Sequence, residues 1–252
     1  MRQQPWRFIP AMVAAGSFHM AVDAWMLDQL ITGKQQPTLR LYRWQPVAIS
    51  LGYHQRQWPE HWQSLEWQGK PIDLVRRPTG GRAVLHQGDF TYAIALPLLS
   101  NRRQDLYQHI CDALIATWKR LGVPLRYGTA GRGYHHQANC FAVATAADLV
   151  TPNGYKLIGS AQLRRDRYLL QQGTMRLWPN ADLFHRVFGE AMETSQQLKD
   201  LPPQASDAWL QLLAKIIVEE IEKGLGVVFE TQPLTPQEQQ DACNFTPRSA
   251  QR

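Results

Sequence analysis

The sequence predicts an α+β fold in which helices pack on a mixed, mostly antiparallel β-sheet. Segments rich in β-branched and aromatic residues, such as 38–51, 90–96 and 168–177, are typical of strands. Two other stretches, 106–121 and 209–221, carry apolar residues at a spacing of three and four, as amphipathic helices do. Because the strand candidates come in runs, with helices at the ends and between them, we expect an α+β arrangement.

The N-terminal elements follow from local signals. Ser17 can cap a helix. The apolar positions of that helix, at helical spacing, are Met20, Ala21, Ala24, Trp25 and Leu27. Pro37 closes this region, and residues 38–51 are predicted to form one or two strands that end on the glycine-containing turn 50–55. Residues 58–69 contain three tryptophans and are typical of a short helix or a loop.

The most unusual stretch is 76–86, which holds three arginines, two adjacent glycines, a proline and a histidine in eleven residues. Strand-like segments, 71–75 and 90–96, lie on either side of it. Gly80 and Gly81 can adopt backbone angles that are closed to other residues and let the chain pass close to a ligand. Arginines can pair with phosphate or carboxylate through their fork of donors. The alternative interpretation is a strand–turn–strand corner with solvated arginines.

The clearest amphipathic helix is predicted over 106–121, and Gly122 followed by Pro124 ends it. Cys111 lies one position from the apolar stripe of this helix, and we interpret it as a small core residue. A polar segment rich in glycine, histidine and arginine, 128–139, follows and leads to Cys140.

A β-hairpin is predicted around 151–154, because Asn-Gly after a proline is a strong turn signal. The apolar stretches 141–150 and 155–163 lie on either side, so the hairpin pairs positions near 149 and 156. A further strand is predicted over 168–177.

The C-terminal part is predicted to be helical and then loose. A helix is expected around 182–192, and a last helix is expected from a cap at Asp207 to Gly224. The chain of 252 residues favours one large domain over two, which we expect to cover 1–230. Residues 231–252 are polar and contain prolines, so they are expected to form a loose tail.

Composition limits the environment and the partners. The three cysteines, Cys111, Cys140 and Cys243, are an odd number without framework spacing, which favours a reducing compartment over a disulfide scaffold or a zinc site. The net charge of +6 favours acidic partners. The basic residues form no long run, so no nucleic-acid partner is expected.

Three further features argue for a cytoplasmic protein without a metal. The apolar run 8–16 is similar to a weak signal peptide, but it is short and Pro10 interrupts it. No stretch reaches the ~18 apolar residues of a membrane span, so no membrane partner is expected. His135 and His136 lack partners at metal-ligand spacing, and no metal site is predicted.

Five stretches of this sequence, in order, resemble the lipoate–protein ligase, octanoyltransferase and biotin–protein ligase superfamily. They are 20–23, 39–44, 50–55, 76–86 and 155–162. The resemblance covers roughly residues 17 to 177, and it implies the ligase-like catalytic α+β domain of that superfamily for 1–230. The Arg/Gly stretch and the Lys-x-x-Gly-Ser-Ala-Gln stretch together make the resemblance specific.

Within the superfamily, the chain is most similar to the LipM-type octanoyltransferases. Arg82 stands where the ATP-dependent ligases usually have a third glycine, and the polar tail is too short for their accessory domain. LipM-type enzymes also place a catalytic cysteine in a Cys-Phe dipeptide ahead of the lysine-containing hairpin, and Cys140-Phe141 has that position.

The resemblance implies transfer of an octanoyl group from acyl carrier protein to a lysine of a lipoyl domain, through a thioester on Cys140. The implied acceptors are the lipoyl domains of 2-oxoacid dehydrogenase E2 subunits or the glycine cleavage H protein, and no cofactor is implied. Lys156 is the candidate cation that ionises the thiol or holds the carbonyl oxygen. The implied substrate-binding residues are Arg76, Arg77, Thr79, Gly80, Gly81, Arg82, Ala83, Val84, His86, Gly159, Ser160 and Ala161.

Plainer interpretations of these residues stay open. Without the family position, Cys140 is a core thiol and Lys156 is a solvated strand lysine. A straight strand would also put the two residues roughly 30 Å apart, so the polar segment before Cys140 has to fold back over the sheet. The alternative functions are an ATP-dependent lipoate ligase and a non-catalytic module that binds an acyl group or a lipoyl domain.

Overall fold

The computed structural model describes residues 4–98, 103–129, 148–193, 198, 201 and 206–246. Its strands are β1 (Trp6–Ala14), β2 (Thr38–Trp44), β3 (Ala48–Leu51), β4 (Glu66–Trp67), β5 (Lys70–Pro71), β6 (Asp73–Arg76), β7 (Val84–His86), β8 (Asp89–Pro97), β9 (Arg126–Tyr127), β10 (Asp148–Val150), β11 (Lys156–Arg165), β12 (Tyr168–Arg176) and β13 (Phe229–Thr231). Its α-helices are α1 (Gly16–Ile31), α2 (Arg103–Arg120), α3 (Ala181–Phe188), α4 (Asp207–Leu225) and α5 (Pro236–Cys243), and Glu60–Ser64 form a 3₁₀ turn.

Eight of these strands form one large sheet in the order β13-β1-β2-β8-β12-β11-β10-β9. The first three run parallel, and every other neighbouring pair is antiparallel. A second sheet, in the order β6-β3-β7, carries the Arg/Gly stretch between two of its strands. The prediction of a mixed, mostly antiparallel α+β fold is therefore confirmed.

The central strand β8 shows why helices cover both faces of the large sheet. Its alternate residues Tyr92 and Ile94 belong to the core that α2 and α4 complete. Ala93 and Ala95 point the other way and pack in the core formed with α1. Because side chains alternate along a strand, large residues fill one face while alanines let α1 approach the other.

The predicted hairpin forms, with a small irregularity. Leu149 pairs with Ile158, Val150 pairs with Lys156, and a bulge lies between these two pairs. Gly154 closes the turn with a φ of 91°, in the region that glycine tolerates best. The hairpin therefore places Lys156 at the first position of β11.

Three of the predicted helix boundaries are wrong by one or two residues. The cap of α1 is Ala15, without a side-chain hydrogen bond, and Ser17 lies inside the first turn. The backbone N–H of Gly16 instead donates to the Asp73 carboxylate, 57 residues away, at 3.1 Å. The last predicted helix has Ser206 rather than Asp207 as its N-cap, and Gly226 rather than Gly224 as its C-cap. A cap partner distant in sequence leaves no local signal.

The predicted loose tail is wrong as far as residue 246. β13 adds a parallel strand to the edge of the large sheet beside β1. α5 begins with a capping box between Thr235 and Glu238 and ends at Cys243, and it packs on α1. Arg7, at the start of the chain, donates to both oxygens of Glu238 at 2.6 and 2.8 Å. This bidentate pair ties the two ends of the fold together.

Replacing Glu238 by glutamine is expected to weaken the fold at neutral pH. Burial alone raises the pKa of Glu238, but the hydrogen bonds from Arg7 and Thr235 outweigh it and lower the pKa below 4.5. A carboxyl group whose pKa is lower in the folded than in the unfolded protein stabilises the fold at pH values above its unfolded pKa. This stabilisation is lost as the pH falls through the pKa of the folded state. The single amide oxygen of glutamine can keep the capping box with Thr235, but its NH2 group cannot accept from Arg7 or Gln35 as the second carboxylate oxygen does. The ion pair and these hydrogen bonds are therefore lost together, about 1–3 kcal/mol at pH 7. The free energy of unfolding of the variant, measured in urea, should approach that of wild type as the pH falls below 4.5.

The exposed Asp241→Asn serves as the control for this variant, because it removes a carboxylate from α5 that accepts from Gln237 and not from Arg7. A constant difference between Glu238→Gln and wild type from pH 7 to pH 3 would contradict the ionic explanation.

Among the described helices, none is long and apolar enough to cross a membrane.

Candidate active site

A cavity of about 300 Å³ lies between the Arg/Gly stretch and the β11–β12 hairpin. Polar side chains, most of them buried, supply about half of its lining residues, and small or apolar residues supply the rest. The lining residues are Met20, Tyr42, Trp44, Ser50, Arg77, Thr79, Gly80, Gly81, Val84, His86, Thr91, Asp148, Gly159, Ser160, Ala161, Gln162, Gln172, Gly173 and Thr174. The two most specific stretches of the sequence therefore meet at one concave site, as expected of a ligand site.

Arg77 holds the glycine turn from inside. Its buried guanidinium donates to the carbonyl oxygens of Ser50 at 2.9 Å, Gly80 at 2.7 Å and Arg82 at 2.7 Å. Backbone carbonyls in a buried turn need such partners, and the planar fork of arginine reaches several at once. Arg77 is therefore a frame for the cavity wall.

A buried chain of hydrogen bonds continues from this frame. Ser50 Oγ lies 2.8 Å from His86 Nε2, and His86 Nδ1 lies 2.7 Å from the Asp89 carboxylate. Burial lowers the pKa of His86, and Arg77 adds to this effect, although Asp89 opposes both. The neutral ring donates a hydrogen bond from Nδ1 to Asp89 and accepts one at Nε2 from the Ser50 hydroxyl. Its face stacks on Trp44 at 3.7 Å between ring centroids.

Ser50, His86 and Asp89 have the order of groups found in serine hydrolases, but Ser50 Oγ also accepts from Arg77 at 3.2 Å. Both hydrogen-bonding directions of this hydroxyl are thus used inside the frame. We therefore interpret the hydrogen bonds that link Ser50, His86 and Asp89 as structural support for the glycine turn.

Arg76 braces a neighbouring turn and does not line this cavity. Its guanidinium donates to the carbonyl oxygens of Gly52 at 2.8 Å and Gln55 at 2.7 Å. The two turns touch directly, because a Cβ on Gly52 would lie 1.9 Å from the carbonyl oxygen of Gly81. Glycine is therefore required at position 52 by the close approach of two backbones.

Replacing Gly52 by alanine is expected to destabilise the protein by about 1–3 kcal/mol, because the clash is with backbone and no rotamer change relieves it. Gly80→Ala is the matched control, since a Cβ at Gly80 meets nothing within 4 Å. Thermal unfolding of both variants tests the expectation. Equal melting temperatures for the two variants would show that the turns separate without cost.

The opposite wall is kept open by small residues of the hairpin. Gly159, Ser160 and Ala161 of β11 line the cavity, and Gly173 faces them from β12. A Cβ on Gly173 would lie 2.2 Å from the ring of Tyr92, so the large sheet leaves no room for a side chain there.

A polar network closes one end of the cavity. Thr79 donates to Gln172 at 2.7 Å, and Gln172 in turn donates to Asp23 on α1. Asp23 also accepts from Arg40 and from the Tyr42 hydroxyl, each at 2.8 Å. Burial raises the pKa of Asp23, and the Arg40 charge opposes this shift. The Thr79 hydroxyl, the Gln172 amide and the Asp23 carboxylate are thus hydrogen-bonded to one another, whereas Arg40 Nε is buried without a hydrogen-bond partner.

The sequence analysis missed Asp23, Gln172 and Ser50 as parts of the site. Asp23 was noted only as one position of a resembling stretch. An acidic residue between Val22 and Trp25 on the apolar side of a helix is the signal that would have found it, because buried charges need partners.

Lys156 is buried and paired. Its Nζ lies 2.9 Å from the Asp148 carboxylate, and the two side chains are 3% and 4% exposed. The interpretation of Lys156 as a solvated strand lysine is therefore wrong. Asp148 lines the cavity and pairs with Gly159 across β10 and β11, so it connects Lys156 to the cavity wall.

Cys140 and Phe141 lie outside the described residues, so the position of Cys140 beside Lys156 remains a prediction. Cys111 is fully buried, and burial raises the pKa of its thiol to about 12 despite a hydrogen bond from Tyr107. A neutral thiol is a poor nucleophile, which agrees with the interpretation of Cys111 as a core residue.

The structure brings most of the sequence-predicted binding residues to the cavity. Those that line it are Arg77, Thr79, Gly80, Gly81, Val84, His86, Gly159, Ser160 and Ala161. Arg76, Arg82, Ala83 and Lys156 do not line it. Ala83 is packed in the core beneath the second sheet. Within the described parts of the chain, no three histidine, cysteine or acidic side chains are grouped to hold a metal ion.

A glycine turn set against the β11–β12 hairpin, on a large mixed sheet, places this chain in a known class. The family model of the lipoyl protein ligase A/B catalytic domain matches residues 15–223, and the chain belongs to this family.

Among curated relatives, the octanoyltransferase LipM of Carboxydothermus hydrogenoformans is 34% identical, over 78% of this chain and 74% of its own length. The octanoyltransferase LipM of Geobacillus kaustophilus is 30% identical, over 94% of this chain and 92% of its own. Among solved structures, lipoate-protein ligase A bound with ATP superposes with a TM-score of 0.74 at 18% identity, covering 96% of this chain and 93% of its own.

Proposed function

We propose that this protein is an octanoyltransferase that moves an octanoyl group from acyl carrier protein to a lysine of a lipoyl domain. The observation that carries the proposal is the cavity, whose arginine is engaged with carbonyl groups of its own turn. Such a wall offers an apolar acyl chain a place to bind, at about 0.8 kcal/mol per buried CH₂. The likeness to LipM-type relatives over most of the chain supports it.

In the proposed reaction the Cys140 thiolate attacks the thioester carbonyl of the donor. The carrier-protein thiolate leaves, and the octanoyl group is held as a new thioester on Cys140. The amine of the acceptor lysine then attacks this thioester, an amide bond forms, and the Cys140 thiolate is released. Two steps through a good leaving group are easier than direct transfer between two proteins. The proton of the amine leaves with the departing thiolate or through Lys156.

The buried Lys156–Asp148 pair supports a role for Lys156 in charge stabilisation. Negative charge grows on the carbonyl oxygen in both steps, and a fixed ammonium in a dry site stabilises it strongly. Asp148 compensates the lysine charge and fixes its position at the end of the cavity wall.

Replacing Lys156 by methionine is expected to lower kcat by a factor of about 10² to 10³, the usual cost of removing one such donor. The exposed Lys119→Met is the control for loss of one positive charge. Circular dichroism must show that the variant is folded, because Asp148 loses its partner. A folded Lys156→Met protein with the wild-type kcat would contradict the role.

The proposed donor and acceptor are acidic carrier domains, and the net charge of +6 suits them. Steering by opposite charge accelerates association and weakens with salt. The opposite charges support acyl carrier protein as the donor and lipoyl domains of E2 subunits or of the H protein as acceptors. A reducing compartment such as the cytoplasm suits a catalytic thiol.

The test is an intact-mass measurement on purified protein after incubation with octanoyl carrier protein, without ATP. We expect one added octanoyl group, sensitive to hydroxylamine, on the peptide that contains Cys140, and its transfer when a lipoyl domain is added. Strict dependence on ATP and free lipoate would favour a lipoate ligase instead. Stable acyl binding without any covalent adduct would favour a binding module.

A further inference from the structure

A second apolar space lies next to the cavity. This groove, of about 510 Å³, is bounded by one side of α1, by the corner at Arg76–Pro78, by the end of β11 and by Phe245. Ala21 and Ala24, one helical turn apart, make the depression on α1. Two residues, Met20 and Arg77, line both the groove and the cavity.

These two residues differ in how firmly they are held. Arg77 is fixed by its hydrogen bonds to three backbone carbonyls. Met20 is 7% exposed, and its sulfur accepts a weak hydrogen bond from Gln172 Nε2 at 3.8 Å. A methionine side chain is unbranched and fills irregular gaps between neighbours. The wall between the two spaces therefore depends on the Met20 side chain.

The residues of strand β11 show in which order Lys156, the cavity and the groove follow one another. Lys156 begins the strand, Gly159 to Gln162 line the cavity, and Leu163 to Arg165 line the groove. At ~3.3 Å per residue, these three regions follow one another along a single line. An acyl group with its carbonyl at the Lys156 end thus extends its tail towards Met20.

The end of the cavity at Met20 can accept an apolar tail. Thr79, Gln172 and Asp23 use their polar groups on one another. A hydrocarbon chain against them leaves no hydrogen bond unmade, so burial of the tail carries no polar cost.

We propose that Met20 is a specificity-determining residue, which closes the far end of the acyl cavity and limits the length of the chain. Removing its side chain joins the cavity to the groove and admits longer acyl groups. The inference takes the identity of the acyl substrate from the proposed octanoyltransferase function. Its geometry rests on the cavity and the groove alone.

The test compares wild type with Met20→Ala, Met20→Phe and Met26→Ala. Met26 is on the same helix and is buried, but it lines neither space, so it is a matched control for loss of a core methionine. Carrier proteins loaded with hexanoyl, octanoyl or dodecanoyl groups serve as donors, and the intact mass of the lipoyl domain reports transfer.

We expect Met20→Ala to raise the dodecanoyl-to-octanoyl transfer ratio at least about tenfold, since each buried methylene contributes roughly fourfold in affinity. Met20→Phe should instead raise the hexanoyl-to-octanoyl ratio, and Met26→Ala should change neither ratio. A folded Met20→Ala protein with an unchanged dodecanoyl ratio would overturn the inference. If that variant does not fold, an unchanged hexanoyl ratio in Met20→Phe would do so.

A binding measurement separates this inference from the proposed function. Calorimetric titration with free octanoate and dodecanoate needs no transfer, and Met20→Ala should bind dodecanoate relatively better by a similar factor. A wild-type protein that transfers from no carrier protein, with a binding shift in Met20→Ala, would refute the proposed function and keep the inference. If wild type transfers the octanoyl group but Met20→Ala shows no shift in binding, the proposed function is kept and the inference about Met20 is refuted.

Discussion

Replacing Cys140 by alanine is expected to abolish octanoyl transfer and to leave the fold intact. The proposed chemistry passes the acyl group through a thioester on this sulfur, and alanine cannot form one. We expect a loss of at least about 10³-fold in kcat, because removal of a nucleophile leaves only binding and charge stabilisation. The measurement is ATP-independent transfer from octanoyl carrier protein, followed by the mass of the lipoyl domain.

The other two cysteines provide matched controls for this variant. Cys243 is exposed at the end of α5, and Cys111 is buried in the core with a raised pKa. Cys243→Ala and Cys111→Ala should retain transfer, although Cys111→Ala is expected to lose some stability. Transfer by Cys140→Ala at the wild-type rate would exclude the thioester route.

Replacing Arg40 by leucine is expected to cost about 3–5 kcal/mol of stability, the usual effect of breaking a fully buried ion pair. Arg40 and Asp23 are both 0% exposed and lie 2.8 Å apart. Without Arg40, the Asp23 carboxylate stays buried with only the Tyr42 and Gln172 donors. Burial already raises the pKa of Asp23, and removal of Arg40 raises it further. Urea unfolding at several pH values measures both effects.

The pH dependence of this variant has a definite sign. A carboxyl group with a raised folded pKa contributes stability below its unfolded value of 3.8, and that stability is lost as pH rises through the folded value. The Arg40→Leu variant should therefore lose more stability than wild type as the pH rises. The double variant with Asp23→Leu should recover much of the loss, because no buried charge remains. A double variant as unstable as the single one would show that packing, not charge, is responsible.

Local chemistry in the sequence was enough to find most elements. The Pro-Asn-Gly turn specifies its hairpin, and the stripe of apolar residues in α2 specifies its helix, because both signals lie within a few residues. The Arg/Gly stretch and the small residues of β11 also indicated the two walls of the site. The fold brings these two walls together at one cavity, and that a ligand binds there stays a prediction.

Elements whose stability comes from distant partners were not predictable in the same way. β13 is three residues long and has no periodic signal, yet it pairs with β1 at the other end of the chain. Glu238 is an ordinary polar residue in the sequence, and only the fold brings it to Arg7. Such contacts depend on topology, which local propensity does not encode.

The sequence by itself determined the α+β class, the family stretches and the residue types available to the site. Only the tertiary structure decided how those residues are used. Three arginines within seven positions suggested pairing with phosphate or carboxylate, but Arg76 and Arg77 donate to backbone carbonyls of nearby turns. From the sequence, Met20 was predicted only as an apolar position of a helix, whereas in the fold it lies between the cavity and the groove. The physical reason is that buried donors and packed side chains take whichever partners the folded chain supplies.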